Sequence, residues 1–266
     1  MAISRAAEAG PSAQVLRSIT AASQRTGVPF GYLLNQAKME SGFNPAAKAP
    51  TSSATGLYQF TRQTWLATLN AHGAEHGLGW AADAIERGAS GTFTVGDPQT
   101  RAAILDLRNN PEIAAAMAAE LAVDNSSYLS QQLGRDITPT DLSLAHFLGA
   151  DGAAKFLTAL AASPDASAAP LFPEAAAANR PIFYDSSGAP RSLAEVHARF
   201  ASKAGAPASM PVSVASTTTY RRSYESESSG GEWASRLADF EPMPGHLSLD
   251  FAQAAYRRLA AMDSGE

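Results

Sequence analysis

Three prolines in the middle of the chain stand directly after a residue that caps helices. The pairs are Asp97-Pro98, Asn110-Pro111 and Thr138-Pro139. A short polar side chain at the cap accepts hydrogen bonds from the first helical turn. Proline suits the first helical position, because the amide hydrogen that it lacks would have no partner there. Apolar residues at helical spacing follow each pair, and no segment alternates apolar and polar residues as a strand would. The sequence therefore predicts an all-α fold.

Similar signals mark the other helices. The predicted starts are Ser12, Pro29, Thr61 and the capping box Ser192-Leu193-Ala194-Glu195, and the predicted stops are Gly27, Gly42, Gly73 and Gly134. Residues 75–96 are rich in glycine and weakly periodic, which favours an irregular insertion.

The composition narrows the class of protein. The chain has 266 residues, 45% hydrophobic and 17% charged, with a net charge of -5. A net negative chain is poorly suited to bind phosphate backbones, so nucleic acid is not expected as a partner. The absence of cysteine excludes disulfides, zinc-thiolate sites and a thiol nucleophile. No run approaches the roughly 20 apolar residues of a membrane span.

The domain organisation follows from changes in composition. Helical signals predict a domain over residues 12–204, with its core motifs in 30–160. Residues 205–232 are rich in Ser, Thr, Pro and Gly, which predicts a flexible linker. Residues 233–266 form a C-terminal segment in which Ser248 to Met262 have the spacing of an amphipathic helix. The N-terminus shows no basic segment followed by an apolar run, so no signal peptide is predicted in the sequence as written.

One glutamate has a position suited to acid catalysis. Glu40 ends the apolar second helix, where it faces the negative end of the helix dipole, and apolar neighbours such as Met39 and Leu57 would remove water from it. Both effects favour the protonated form, which a general acid requires near neutral pH. The residues alone leave open that Glu40 is a solvated side chain at a helix end.

The segments around Glu40 form a wider pattern. Met39-Glu40-Ser41-Gly42-Phe43-Asn44-Pro45 is followed by Gly56-Leu57-Tyr58-Gln59-Phe60 and then by Thr64-Trp65. Over about residues 12–160 the chain resembles the lysozyme-like domain of the soluble lytic transglycosylases, in which a Glu-Ser pair ends the catalytic helix and a Gly-Leu-Met-Gln loop closes the site. The resemblance implies that Glu40 is the catalytic acid/base and that Ser41 helps to place the substrate. It also implies substrate contacts from Gly56, Leu57, Tyr58 and Gln59, with Tyr58 in place of the usual methionine.

A third segment departs from that family. The usual Ala-Tyr-Asn-Ala-Gly is replaced by Ala145-His146-Phe147-Leu148-Gly149, so histidine stands for the tyrosine and phenylalanine for the asparagine. His146 is a candidate substrate-binding residue, and a buried, hydrogen-bonded core histidine is the alternative.

The resemblance implies cleavage of the β-1,4 bond between N-acetylmuramic acid and N-acetylglucosamine in peptidoglycan. A lytic transglycosylase needs one carboxylate, forms 1,6-anhydro products and uses no metal or organic cofactor. Hydrolysis is the alternative and needs a second carboxylate. Its candidates are Glu75, Asp83, Glu86 and Asp97. A non-catalytic peptidoglycan-binding assembly factor is a further alternative.

Aromatic side chains supply candidate sugar contacts. Trp65, on a periodic helix, is expected in the core, whereas Trp80, in the glycine-rich stretch, is the better candidate to stack on a sugar; Phe93 and Tyr128 are further aromatics. The substrate implies a periplasmic or exported protein. The C-terminal segment is a possible contact with a secretion, flagellar or phage assembly partner.

Overall fold

The computed structural model describes residues 10–50 and 52–204, and within them the fold is mostly helical, as predicted. The helices are α1 (Ala13–Thr26), α2 (Phe30–Ser41), α3 (Arg62–His72), α4 (Gly79–Asp83), α5 (Pro98–Asp106), α6 (Pro111–Leu133), α7 (Pro139–Leu148), α8 (Ala150–Ala162), α9 (Pro173–Ala178), α10 (Arg180–Phe183) and α11 (Leu193–Ala204). Two short strands, β1 (Glu86–Arg87) and β2 (Phe93–Thr94), pair antiparallel. The predicted linker and terminal amphipathic helix lie outside the described residues.

The helix caps explain why these segments begin where they do. At the starts of α1, α3, α5, α6, α7 and α11 a side-chain oxygen accepts a hydrogen bond from a backbone N–H of the first turn, as predicted; these residues are Ser12, Thr61, Asp97, Asn110, Thr138 and Ser192. At Ser192 the capping box is complete, because the Glu195 carboxylate also accepts from the Ser192 N–H at 2.8 Å. The expectation for Pro29 needs a small correction, since it lies at the cap and Phe30 is the first helical residue.

The expected irregular insertion between Glu75 and Gly96 is more ordered than predicted. It contains α4, the β1–β2 pair and the end of a 3-10 helix (Gly73–His76). A side chain of α3 helps to order it: the Gln63 amide donates to the Phe93 carbonyl at 2.9 Å and accepts from the Phe93 N–H at 2.9 Å. Phe93 itself is buried in the core. The Gln63 amide thus makes the same pair of hydrogen bonds with Phe93 that a neighbouring strand would make. Hydrophobic periodicity does not predict such a side-chain contact.

The core forms around the long helix α6, which packs against α1, α3 and α8. Near its middle, four side chains join α6 to the end of α3 and the 3-10 helix that follows. His72 contacts Asp124 at 2.8 Å, and His76 contacts Glu120 at 2.7 Å. Burial alone would raise the pKa of Glu120, but the hydrogen bond from His76 and the charge of His72 lower it. This cluster therefore stabilises the start of the insertion against α6.

The last helices belong to the same packed unit as the first. α11 packs against α7, α8 and α2. Phe147 of α7 lies between two aromatic rings from this C-terminal part, with ring centroids 6.2 Å from Phe183 and 5.2 Å from Phe200. All three rings are buried. In the part of the chain that the structure describes, no helix combines the length and apolar character that crossing a membrane requires.

Candidate active site

Glu40 lies at the C-terminal end of α2, as predicted. The helix ends because Gly42 and Phe43 adopt left-handed backbone angles, with φ of 59° and 68°. The Gly42 N–H then bonds back to the Lys38 carbonyl. The turn leaves Glu40 facing inward with 2% of its surface exposed. The alternative of a solvated glutamate at a helix end does not fit this burial.

His146 lies directly against Glu40. Its Nε2 is 2.7 Å from Oε1 of the glutamate, and the two side chains are 13% and 2% exposed. His146 occupies the last turn of α7. The sequence left open whether His146 binds substrate or is a buried, hydrogen-bonded core histidine. His146 is largely buried and hydrogen-bonded, and its partner is the candidate catalytic carboxylate.

Ser41 connects α2 to the second motif, the loop Gly56–Phe60. Its hydroxyl contacts the Leu57 carbonyl at 2.8 Å and the Ala37 carbonyl at 3.1 Å. The loop residues Leu57, Tyr58 and Gln59 are buried. Their side chains are therefore part of the scaffold.

Side chains of that loop fix its shape. Gln59, with a positive φ of 48°, donates from its amide to the Ala47 and Gly56 carbonyls at 3.1 and 2.8 Å. The Tyr58 hydroxyl donates to the Leu33 carbonyl of α2 at 3.1 Å. The second motif therefore forms a loop that its own side chains brace against α2.

A charged residue that the sequence did not single out anchors the same loop. Arg108 donates through Nη1 to the Ser53 and Phe60 carbonyls at 2.8 and 3.1 Å, and through Nε to the Leu105 carbonyl at 2.9 Å. Burial, with a smaller effect of Arg62, lowers the pKa of Arg108 to about 10. At neutral pH its guanidinium stays charged and holds both ends of the loop.

Tyr32 shares the buried surroundings of Glu40. It lies on the same helix and is buried. Burial, and then the charge of Glu40, raise the pKa of Tyr32 above its ordinary value. The phenol is therefore neutral throughout the physiological range.

The candidate aromatic contacts separate clearly by burial. Trp65 is fully buried, and its indole N–H donates to the Ile104 carbonyl at 2.8 Å, as a core tryptophan requires. Trp80 on α4 is 50% exposed and offers its ring to solvent. The Tyr128 hydroxyl donates to the Asp151 carboxylate, which raises the pKa of Tyr128 to about 12.

The four candidate second carboxylates all lie on the surface: Glu75, Asp83, Glu86 and Asp97 are exposed. Asp97 has a structural task, because it caps α5 through the Thr100 N–H and hydroxyl, and these hydrogen bonds lower its pKa. Within residues 10–50 and 52–204, no group of three or more His, Asp or Glu side chains is arranged to hold a metal ion.

Comparison with known families agrees with the motifs. Residues 17–76 match the family model of the transglycosylase SLT domain. The matched segment contains most of α1, all of α2 and α3, and thus Glu40, Ser41 and the Gly56–Phe60 loop. The match confirms the resemblance to lysozyme-like lytic transglycosylases. It supports a function of the peptidoglycan lytic transglycosylase type in general, on a substrate outside the cytoplasm. His146 and Arg108 lie beyond the matched segment.

Proposed function

We propose that this protein cleaves the β-1,4 bond between N-acetylmuramic acid and N-acetylglucosamine in peptidoglycan and forms 1,6-anhydro products, with Glu40 as its acid and base. The observation that carries the proposal is the burial of Glu40 at the end of α2, 2.7 Å from His146. A desolvated carboxyl group with a hydrogen-bonded histidine beside it suits proton transfer. The family match over residues 17–76 supplies the substrate class.

The reaction needs no group beyond this carboxyl and the sugar itself. Protonated Glu40 gives its proton to the glycosidic oxygen as the bond from that oxygen to C1 of N-acetylmuramic acid breaks. The C6 hydroxyl of the same sugar then bonds to C1, and its proton passes to the Glu40 carboxylate. The glutamate is regenerated and no water is consumed. The hydroxyl has an entropic advantage over free water, because it is already part of the bound sugar.

In this proposal the other candidate residues contribute to substrate binding in different ways. Because Leu57, Tyr58 and Gln59 are buried, their proposed contribution to substrate binding is to fix the shape of the loop, which Ser41 holds against α2. The half-exposed ring of Trp80 is the proposed stacking surface for a sugar.

Mass spectrometry of digested peptidoglycan tests the chemistry. We expect anhydro-muropeptides and no new reducing ends from the wild-type protein, and no lysis from Glu40→Gln. The amide keeps the size of the side chain but has no acidic proton to transfer to the glycosidic oxygen. The matched controls are Glu75→Gln and Glu86→Gln, two exposed glutamates for which activity should be unchanged.

Two results would contradict the proposal in different ways. Reducing N-acetylmuramic acid among the products, together with loss of activity in one carboxylate variant besides Glu40→Gln, indicates a two-carboxylate muramidase. Binding of peptidoglycan without cleavage by the wild-type protein indicates a non-catalytic assembly factor.

The substrate implies that the protein works in the periplasm or is exported. Residues 233–266, outside the described residues, are the proposed contact with a secretion, flagellar or phage assembly partner. We expect a protein shortened after residue 232 to lyse peptidoglycan as the full chain does but to lose the capture of its partner.

A further inference from the structure

The geometry points to His146 as the residue that positions Glu40 and stabilises its carboxylate during the reaction. This inference rests on the proposed function, and it assigns to His146 a task toward the acid rather than toward the sugar. The direct observation is the 2.7 Å contact between Nε2 and Oε1 across 106 positions of sequence.

The burial of Glu40 creates the need for such a partner. Once the glutamate has given up its proton, a carboxylate remains at a site with 2% exposure. A buried charge without a hydrogen-bond donor is strongly destabilised. Nε2 of His146 is at donor distance and is itself only 13% exposed, so the contact is shielded from water.

The polar groups nearest in sequence are engaged with other partners. The Ser41 hydroxyl lies at 2.8 Å from the Leu57 carbonyl and 3.1 Å from the Ala37 carbonyl, and its hydrogen is directed to these acceptors. His197 lies on α11, which also packs on α2. Burial lowers the pKa of His197, and the charges of Asp141 and Arg135 have smaller, opposing effects on it. The 2.7 Å contact itself identifies His146 as a donor to Glu40.

One protonation state of His146 serves both halves of the reaction. A neutral imidazole with its hydrogen on Nε2 donates to Oε1 whether the carboxyl group is protonated or ionised. The mobile proton then resides on Oε2. It leaves Oε2 for the glycosidic oxygen, and the C6 hydroxyl returns a proton to Oε2. The imidazole keeps its own hydrogen throughout, so it positions the acid without taking part in the transfer.

The helix that carries His146 is fixed at both ends. At its start, Asp141 accepts from the Thr138 N–H at 2.8 Å and from both guanidinium nitrogens of Arg135 at 2.8 and 3.1 Å. At its end, Phe147 packs between Phe183 and Phe200. This support restricts the freedom of α7, so Nε2 is held at the carboxylate before substrate binds.

Three variants test the inference. His146→Leu removes the donor at similar volume, and we expect kcat about 10- to 100-fold lower with KM nearly unchanged. His146→Gln places an amide N–H close to the position of Nε2 but cannot ionise, and most of the lost kcat should return. His197→Gln is the matched control, a second partly buried histidine whose replacement should leave kcat and KM unchanged.

The outcomes separate this inference from the proposed function. Wild-type kcat in His146→Leu, with Glu40→Gln inactive, overturns the positioning role alone, and equal loss in His146→Gln and His146→Leu overturns the role of a neutral donor. Activity retained in Glu40→Gln overturns the proposed function itself. If His146→Leu folds poorly, the free energies of unfolding of Glu40→Gln, His146→Leu and the double variant test the contact instead. Non-additive effects of the two substitutions support a direct contact between the side chains, and additive effects contradict it.

Discussion

Replacing Gly56 by alanine tests how the loop of the second motif is held. Gly56 has a φ of +88°, which side-chain-bearing residues rarely adopt, and a Cβ added there would lie 2.0 Å from the Arg108 carbonyl oxygen. Arg108 cannot retreat easily, because its side chain is bonded to the Ser53, Phe60 and Leu105 carbonyls. Relief of the clash therefore has to displace the loop, the Arg108 backbone or both.

Two effects add up to the expected destabilisation. The left-handed backbone costs an alanine about 1–2 kcal/mol. Overpacking against a fixed backbone atom costs about 1–3 kcal/mol more. Their sum, about 2–5 kcal/mol, corresponds to a fall in the unfolding temperature of roughly 5–15 °C for a domain of this size. Thermal and urea unfolding followed by circular dichroism measure both quantities.

Gly134→Ala supplies the matched control. Gly134 also has a positive φ, +64°, but a Cβ there would meet nothing within 4 Å. It should show the backbone effect of about 1–2 kcal/mol alone. The difference between the two variants isolates the contact with Arg108. If Gly56→Ala is no less stable than Gly134→Ala, the close approach of the loop to Arg108 is wrong.

Three further predictions concern the same scaffold and its surface. Arg108→Met should lower the free energy of unfolding by about 3 kcal/mol, because three carbonyls lose a charged donor; Arg108→Lys should recover only part of it in the same urea titration. Burial alone would lower the pKa of His72, but Asp124 and other nearby carboxylates raise it above its ordinary value. The contribution of protonated His72 to the free energy of unfolding is therefore complete below about pH 6.5 and is lost as the pH rises through the pKa of the folded protein. The stability difference between wild type and His72→Gln should therefore shrink between pH 6 and pH 8.5, and a constant difference would contradict the ion pair. Trp80→Ala should weaken binding of a glycan fragment roughly 5- to 10-fold in calorimetry, whereas Phe30→Ala, another exposed aromatic, should not.

Local chemistry explains which parts of the fold the sequence predicts well. A cap such as Thr138 and the proline after it act within one turn, so their signal is complete in a few neighbouring residues. The end of α2 is equally local, since Gly42 adopts a left-handed angle there without steric cost and the adjacent Phe43 continues the turn. The helix positions and the place of the candidate acid at a helix end were therefore accessible from the sequence.

The contacts that complete the candidate site are not local. Arg108 reaches carbonyls 48 and 55 positions away, and His146 meets Glu40 across 106 positions. Hydrophobic periodicity predicts which face of a helix is buried, but it does not say which other element covers that face. Gln63, whose amide pairs with the backbone of Phe93, was missed for the same reason. The position of Arg108 just before Asn109-Asn110-Pro111 indicates only that a helix begins nearby. Nothing in the neighbouring sequence predicts its hydrogen bonds to the Ser53 and Phe60 carbonyls.

The two substitutions in the third motif are two parts of one structural arrangement. Successive residues of a helix point about 100° apart, so His146 and Phe147 face different neighbours. His146 meets the buried carboxylate of α2, while Phe147 fills the space against Phe183 and Phe200. An asparagine at position 147 would lose both ring contacts and would place polar atoms next to those rings. The packing of Phe147 with α10 and α11 therefore helps to hold the turn of α7 that carries His146 to Glu40.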